Sequence, residues 1–129
     1  ACTLIRNGAL FYSTHPDINC PTADGFIPDS GAISAFVTAS TGVTPTYFGK
    51  PYKSALDMMC QITETDPSDM VIFGDRLYTD IALGKRNGVT SVLVLSGETK
   101  QADVDKADDC DKPDFVAPSL LEVNEALFS

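Results

Sequence analysis

Short apolar runs alternate with helical spacing of apolar residues over the second part of the chain. Three runs rich in aliphatic and aromatic side chains predict strands, at residues 70–73, 89–96 and 115–117. The segments around them have the length and spacing of helices, at residues 52–63, 81–87 and 120–128, with 101–112 either a short helix or a solvated loop. Continuous runs of this kind are typical of parallel strands covered on both faces. The alternation therefore predicts an α/β fold with right-handed crossovers.

The first part of the chain has shorter and less regular predicted elements. Residues 1–7 have the character of a helix tail that Gly8 ends, without a cap or a preceding strand, so we expect that something upstream has been cut away. The remaining segments predict a strand at 9–14, a loop at 18–31 and a helix at 32–40 that ends near Gly42.

Composition narrows the possible partners. The chain has 129 residues, enough for one domain with a core, and a net charge of −9 from 18 acidic and nine basic side chains. A nucleic acid partner is disfavoured because phosphate backbones require lysine and arginine. No apolar run has the length of a membrane span, so we expect no membrane partner. Four scattered cysteines without a CxxC pair favour a reducing, cytoplasmic location.

Two carboxylates follow the strand at 70–73. Gly74 permits a sharp turn, Asp75 stands at the strand's carboxyl end, and Thr79 is a plausible N-cap that places Asp80 in the first turn of the next helix. Two carboxylates that converge there suit Mg²⁺, which prefers oxygen ligands. The alternative is an ordinary strand-to-helix turn in which Asp80 only compensates the helix dipole.

A lysine stands at another predicted helix start. In Gly49-Lys50-Pro51, the proline suits the first turn of a helix, so Lys50 is presented beside backbone N–H groups that attract anions. The alternative is a solvated surface lysine.

Four motifs occur in order at fitting separations. They are Thr14-His15-Pro16-Asp17, Gly49-Lys50-Pro51, Gly74-Asp75-Arg76-Leu77-Tyr78-Thr79-Asp80-Ile81 and Leu93-Val94-Leu95-Ser96-Gly97-Glu98-Thr99. Together they resemble the C-terminal half of a haloacid dehalogenase-like (HAD-like) phosphatase. The branch contains p-nitrophenyl, phosphoglycolate and pyridoxal phosphatases and the N-acetylglucosamine-operon phosphatase.

The resemblance implies a Rossmann-like core at residues 45–129 and the end of a cap domain at 1–44. It implies a Mg²⁺-dependent phosphatase of small phosphorylated metabolites that works through an aspartyl-phosphate. In that family the lysine matching Lys50 neutralises the transferring phosphoryl group, the aspartate matching Asp75 binds Mg²⁺, and the one matching Asp80 supports that site. The loop of His15 and Asp17 helps to choose the substrate.

The chain departs from the family pattern. His15 and Tyr52 replace the usual asparagine and serine, and the Asp-x-Asp nucleophile motif is missing, since Asp103-Val104-Asp105 lies in a polar segment without a preceding strand. Lys50, Asp75 and Asp80 are then half an active site, and we expect the chain alone to be inactive. The alternative is a non-catalytic HAD-like domain that binds a phosphometabolite or a protein partner.

The resemblance also predicts an unpaired strand. In the family's sheet, the strand matching residues 70–73 lies beside the strand of the missing nucleophile. Exposed strand edges invite association. We therefore expect that a partner covers this edge or that the chain is part of a larger one.

Overall fold

The computed structural model describes residues 1–128, and their contacts fall into two compact units. The first unit ends at Gly49 and the second begins at Lys50. This division lies a few residues after the boundary at 44/45 that the motifs suggest.

The first unit combines short strands with two helices. Its elements are α1 (Cys2–Arg6), β1 (Tyr12–Ser13), β2 (Asn19–Thr22), β3 (Gly25–Pro28), α2 (Ser30–Thr41) and β4 (Thr46–Tyr47). Strand β1 pairs in parallel with β4, and β2 pairs antiparallel with β3. The strand predicted at residues 9–14 is therefore only two residues long.

The prediction of a loop at residues 18–31 is wrong, because this segment contains the β2–β3 hairpin. Thr22 is the partner of Gly25, so only two residues link the strands, and Gly25 has a φ of 140°. Pro21 and Pro28 suggested a loop, but in a two-stranded ribbon both strands are edges, where proline is tolerated.

Helix α2 starts two residues before its predicted beginning. The Asp29 carboxylate caps it by accepting a hydrogen bond from the Ser30 backbone N–H at 2.7 Å. The helix ends as predicted at Gly42, whose φ of 77° favours glycine.

The second unit is an α/β domain with a parallel sheet, as predicted. Its elements are α3 (Lys53–Thr63), β5 (Val71–Gly74), α4 (Ala82–Asn87), β6 (Thr90–Val94), α5 (Gln101–Lys106), β7 (Phe115–Ala117) and α6 (Leu120–Phe128). The strand order is β5-β6-β7, and both pairings are parallel. Within residues 1–128, β6 is the only strand that pairs with β5, so the outer edge of β5 is open.

Two apolar clusters pack against the central strand and its neighbours. One joins Leu56, Leu83 and Val89, and the other joins Ile81, Leu93 and Val104. Leu93 of β6 is fully buried. The long apolar run at 89–96 thus behaves as a central strand should.

The prediction that the run at 70–73 is buried is wrong for one face. Val71 is 50% exposed, Phe73 is 41% exposed, and Phe115 of β7 is 63% exposed. These side chains share one face of the sheet because Phe73 pairs with Val92, and Val92 pairs with Phe115. This face and α6 line an apolar groove of about 400 Å³, which we call the sheet groove. In the described chain, nothing from another element fills it.

None of the helices within residues 1–128 has both the length and the hydrophobicity needed to cross a bilayer. All four cysteines, namely Cys2, Cys20, Cys60 and Cys110, are free thiols.

A polar link ties helix α4 to the approach of β7. The Asp114 carboxylate accepts hydrogen bonds from Lys85 Nζ at 2.6 Å and from the Ser91 backbone N–H at 2.9 Å. The Ser91 hydroxyl also donates to it, at 3.0 Å. The hydrogen bond from Lys85, followed by that from the Ser91 backbone, lowers the pKa of Asp114 below its ordinary value of 3.8.

We predict that Asp114→Asn lowers the free energy of unfolding at pH 7 by about 1 kcal/mol, since the link is partly exposed to solvent. Because the folded pKa is the lower one, the wild-type advantage is complete above pH 3.8 and disappears as the pH falls through the folded pKa. Urea denaturation between pH 7 and pH 3 measures this difference.

The matched control is Asp109→Asn, which removes a surface carboxylate that is 96% exposed and pairs only locally with Lys112. We expect it to change stability little at any pH. An equal loss in both variants would show that the link has no special role.

Candidate active site

The first candidate residues lie where β5 ends and the chain turns into α4. Asp75 directly follows the strand, and the next residues form a wide π-helical turn at Leu77–Ile81, in which the Ile81 N–H donates to the Arg76 carbonyl at 3.2 Å. Thr79 is therefore inside this turn, and the prediction that it caps the following helix is wrong. Asp80 lies in the π-helical turn, and α4 itself begins only at Ala82.

The turn brings the Asp80 side chain against the end of β5. A Cβ atom built on Gly74 would lie 2.1 Å from the Asp80 Cβ and 2.5 Å from Asp80 Oδ2. No side chain fits at residue 74 without displacing this carboxylate. Gly74 is thus required for close packing, beyond the flexibility that the sequence suggested.

Lys50 and Asp80, which belong to two separate sequence motifs, form an ion pair. Lys50 Nζ donates to Asp80 Oδ1, and the Arg76 backbone N–H donates to Asp80 Oδ2 at 3.3 Å. The Asp80 side chain is only 7% exposed, whereas that of Lys50 is 48% exposed. The lysine compensates a buried negative charge and still faces solvent.

Asp75 is held by the loop that follows β6. Its Oδ2 accepts a hydrogen bond from the Glu98 backbone N–H at 2.9 Å, and its carbonyl accepts one from the Thr99 N–H at 3.1 Å. A Cβ on Gly97 would lie 2.1 Å from Asp75 Oδ2, so a second glycine leaves room for a second carboxylate. The tips of β5 and β6 therefore meet at Asp75.

Sequence reasoning missed three side chains beside these carboxylates. Glu98 pairs with Arg76, with 2.8 Å between Oε2 and Nε, and accepts a hydrogen bond from the Tyr78 hydroxyl at 3.1 Å. All three residues belong to quoted motifs, but their contacts join positions 20 or more apart in the chain. The only sequence signal for these contacts was that Arg76 in one motif and Glu98 in another carry opposite charges.

His15 and Asp17 lie in the first unit. The His15 Nδ1 is 3.8 Å from Asp17 Oδ2, and its Nε2 is 3.6 Å from Asp29 Oδ1. Nδ1 is buried without a hydrogen-bond partner among the described residues. The imidazole thus lies between two carboxylates, one of which, Asp29, the sequence did not indicate.

The acidic residues of the described chain do not form a complete metal cage. Among residues 1–128, no group of three or more His, Cys, Asp and Glu side chains is arranged to hold a metal ion. Asp75 and Asp80 are a pair of oxygen donors rather than a closed site. Mg²⁺ is commonly held by one or two carboxylates together with water and substrate phosphate, so such a pair fits part of its coordination.

A parallel α/β sheet with two carboxylates and a lysine near its carboxyl edge is typical of a Rossmann-like domain, whose ligands bind at that edge. The HAD-hydrolase-like family model matches residues 47–123, and the chain belongs to this family.

Similar proteins are named as phosphatases or as a nucleotidase. The chain is 39% identical to the 5′-nucleotidase YutF of Bacillus subtilis, over 94% of this chain and 46% of that protein. The structure of a 4-nitrophenylphosphatase from Thermotoga maritima superposes with a TM-score of 0.90 and 44% identity, over 98% of this chain and 48% of that one. The structure of a glycerol phosphate phosphatase from Mycobacterium tuberculosis, solved in complex with magnesium, superposes with a TM-score of 0.87 and 28% identity. The match covers 95% of this chain and 36% of that one.

The chain spans about half the length of the curated relatives it matches. The resemblance to the C-terminal portion of a HAD-like phosphatase is confirmed at the level of the family, the fold and the kind of relative.

We predict that Gly74→Ala destabilises the second unit by about 1–3 kcal/mol, because the new methyl group overlaps the Asp80 side chain and must push it away. Urea denaturation measures the loss. Lysine-detected NMR should also show that the Lys50 ammonium loses its carboxylate partner.

Gly88→Asn is the matched control. A Cβ at residue 88 meets nothing within 4 Å, and asparagine tolerates the φ of 73° found there. A Gly74→Ala chain as stable as the control, with its Lys50 signal unchanged, would contradict the close packing.

Proposed function

We propose that this chain carries the lysine and metal-binding half of a Mg²⁺-dependent phosphatase that acts on small phosphate monoesters. The observation that supports this most is the ion pair between half-exposed Lys50 and buried Asp80, beside Asp75 at the strand end. The names of the relatives, which include a nucleotidase and a nitrophenylphosphatase, support the same reaction class.

In this proposal Asp75 and Asp80 hold Mg²⁺. Both present carboxylate oxygens, the donors that this cation prefers. When bound, the cation would neutralise negative charge on the phosphoryl group. Asp75 Oδ2 already accepts the Glu98 N–H, so Oδ1 is the oxygen that we assign to the cation. The magnesium complex of the mycobacterial relative supports the choice of metal.

Lys50 is the phosphate contact of this half site. An ammonium group has three donors, and the hydrogen bond to Asp80 uses one of them. The exposed remainder can donate to a phosphate oxygen as a point charge. Its role in the proposal is to orient the phosphoryl group and to balance the charge that develops during transfer.

We assign substrate selection to His15 and Asp17. Selective sites use a few fixed polar groups, and the buried Nδ1 of His15 is a polar atom without a hydrogen-bond partner in the described chain. Because His15 replaces an asparagine of the family pattern, the preferred metabolite is expected to differ from that of asparagine-containing relatives.

The aspartyl-phosphate step requires a nucleophile that this chain does not supply. We propose that the missing aspartate comes with a strand and helix that cover the open edge of β5 and fill the sheet groove. The part of the relatives that this chain does not match is about as long as the matched part. The apolar lining of the groove and the unpaired edge of β5 favour such an occupant.

Four free thiols support a cytoplasmic location.

The chain alone should hydrolyse almost no 4-nitrophenyl phosphate in the presence of Mg²⁺, since half a site has no group to accept the phosphoryl. Release of nitrophenolate measures turnover. Robust hydrolysis that Asp75→Ala abolishes would show that the second half is not needed, and would overturn this part of the proposal.

Adding the half of the Thermotoga relative that this chain does not match should restore hydrolysis. The restored activity should depend on Asp75, Asp80 and Lys50. We expect Phe73→Glu to block restoration, because it places a charge in the sheet groove where the added half would pack.

Ile62→Glu is the matched control, since Ile62 is an apolar residue of α3 that is 75% exposed and does not line the groove. It should leave restoration intact. If the two halves associate without producing turnover, the chain is better explained as a non-catalytic HAD-like domain that binds a phosphometabolite or a protein.

A further inference from the structure

One residue of the loop after β6 contacts three residues in the first part of the segment that carries the acidic pair. The Glu98 backbone N–H donates to Asp75 Oδ2 at 2.9 Å. Its carboxylate pairs with Arg76 Nε at 2.8 Å through Oε2 and accepts from the Tyr78 hydroxyl at 3.1 Å through Oε1. The main chain and side chain of Glu98 thus contact three residues within one short segment, at positions 75, 76 and 78.

The contact with Arg76 extends to the second carboxylate. The Arg76 backbone N–H donates to Asp80 Oδ2 at 3.3 Å, and Asp80 Oδ1 accepts from Lys50. Glu98 therefore touches Asp75 directly and reaches Asp80 through one residue. The separation of the two carboxylates depends on the part of the chain that Glu98 holds.

We infer that Glu98 is a positioning residue that fixes the spacing and direction of the Asp75 and Asp80 carboxylates by clamping Arg76 and Tyr78. The inference rests on the proposed function in so far as this pair binds Mg²⁺. Groups that orient metal ligands without touching the metal commonly change metal affinity strongly when they are removed.

Because the Glu98 side chain is partly exposed, its effect on the positions of the carboxylates can be measured separately from its effect on the stability of the fold. The Glu98 side chain is 49% exposed, and exposed ion pairs contribute little to stability. Every substitution at residue 98 except proline keeps the backbone N–H that binds Asp75. Removing the side chain therefore loosens the turn without removing the direct hydrogen bond and without opening a cavity in the core.

The first test is amide hydrogen exchange followed by NMR. In Glu98→Ala, the Arg76 amide should lose protection while the urea midpoint of the chain stays unchanged. Glu98→Gln should retain most of the protection, because its amide oxygen can accept from Arg76 and its NH₂ can donate to the Tyr78 oxygen. If Glu98→Gln behaves like Glu98→Ala, or if neither variant changes exchange, the clamp is wrong.

The second test is a titration with Mg²⁺ alone, followed through the NMR signals of Asp75 and Asp80. The midpoint should rise about tenfold in Glu98→Ala, the lower end of the range for residues that orient metal ligands, and little in Glu98→Gln. Asp57→Ala is the matched control, since it removes an exposed carboxylate from the pair with Lys53 in α3. It should leave the midpoint unchanged.

The two hypotheses fail in different ways. If Mg²⁺ moves the wild-type signals but Glu98→Ala has the wild-type midpoint, the positioning role is wrong and the proposed metal site stands. If Mg²⁺ moves neither wild-type signal, the proposed metal site of this chain is wrong, and the exchange of the Arg76 amide decides the clamp.

Discussion

The packing of the Asp80 side chain against Gly74 is the constraint on which the candidate site depends. The space that a Cβ of residue 74 would occupy is filled by the Asp80 side chain, with 2.1 Å to its Cβ. This places a carboxylate that is only 7% exposed at the carboxyl end of β5, where burying an unpaired charge is costly. Lys50 and the Arg76 backbone N–H compensate that charge, so the acidic residue determines where the lysine lies.

The same unit is well packed on one face of its sheet and open on the other. Leu93 and Ile81 are fully buried, whereas Val71, Phe73 and Phe115 remain between 41% and 63% exposed. Complete burial of each such side chain is worth about 1.5–3 kcal/mol, so covering this face offers several kcal/mol to whatever packs there. In the proposed function, this open face is where the second half of the protein would pack.

The sequence predicted the elements that have local signals. The apolar run around Leu93 and the helix stop at Gly42 needed only composition and glycine placement. The π-helical turn could not be predicted, because residues 77–81 have the same apolar spacing as an α-helix. The β2–β3 hairpin was hidden by Pro21 and Pro28, and the contacts of Glu98 depend on a fold that brings two distant motifs together.

The pairing of Lys50 with Asp80 is compatible with a second role in anion binding. A free lysine side chain has about 2 kcal/mol of rotamer entropy, and part of it is already lost when the ammonium is held by a buried carboxylate. A phosphate oxygen that arrives at the exposed side of the ammonium therefore meets a donor of fixed position. Asp80 also balances the charge of Lys50, and Asp75 adds a further negative charge, so a dianion that binds here requires additional positive charge. In the proposed function, a divalent cation held by the acidic pair would supply that charge, which would account for carboxylates placed next to the lysine.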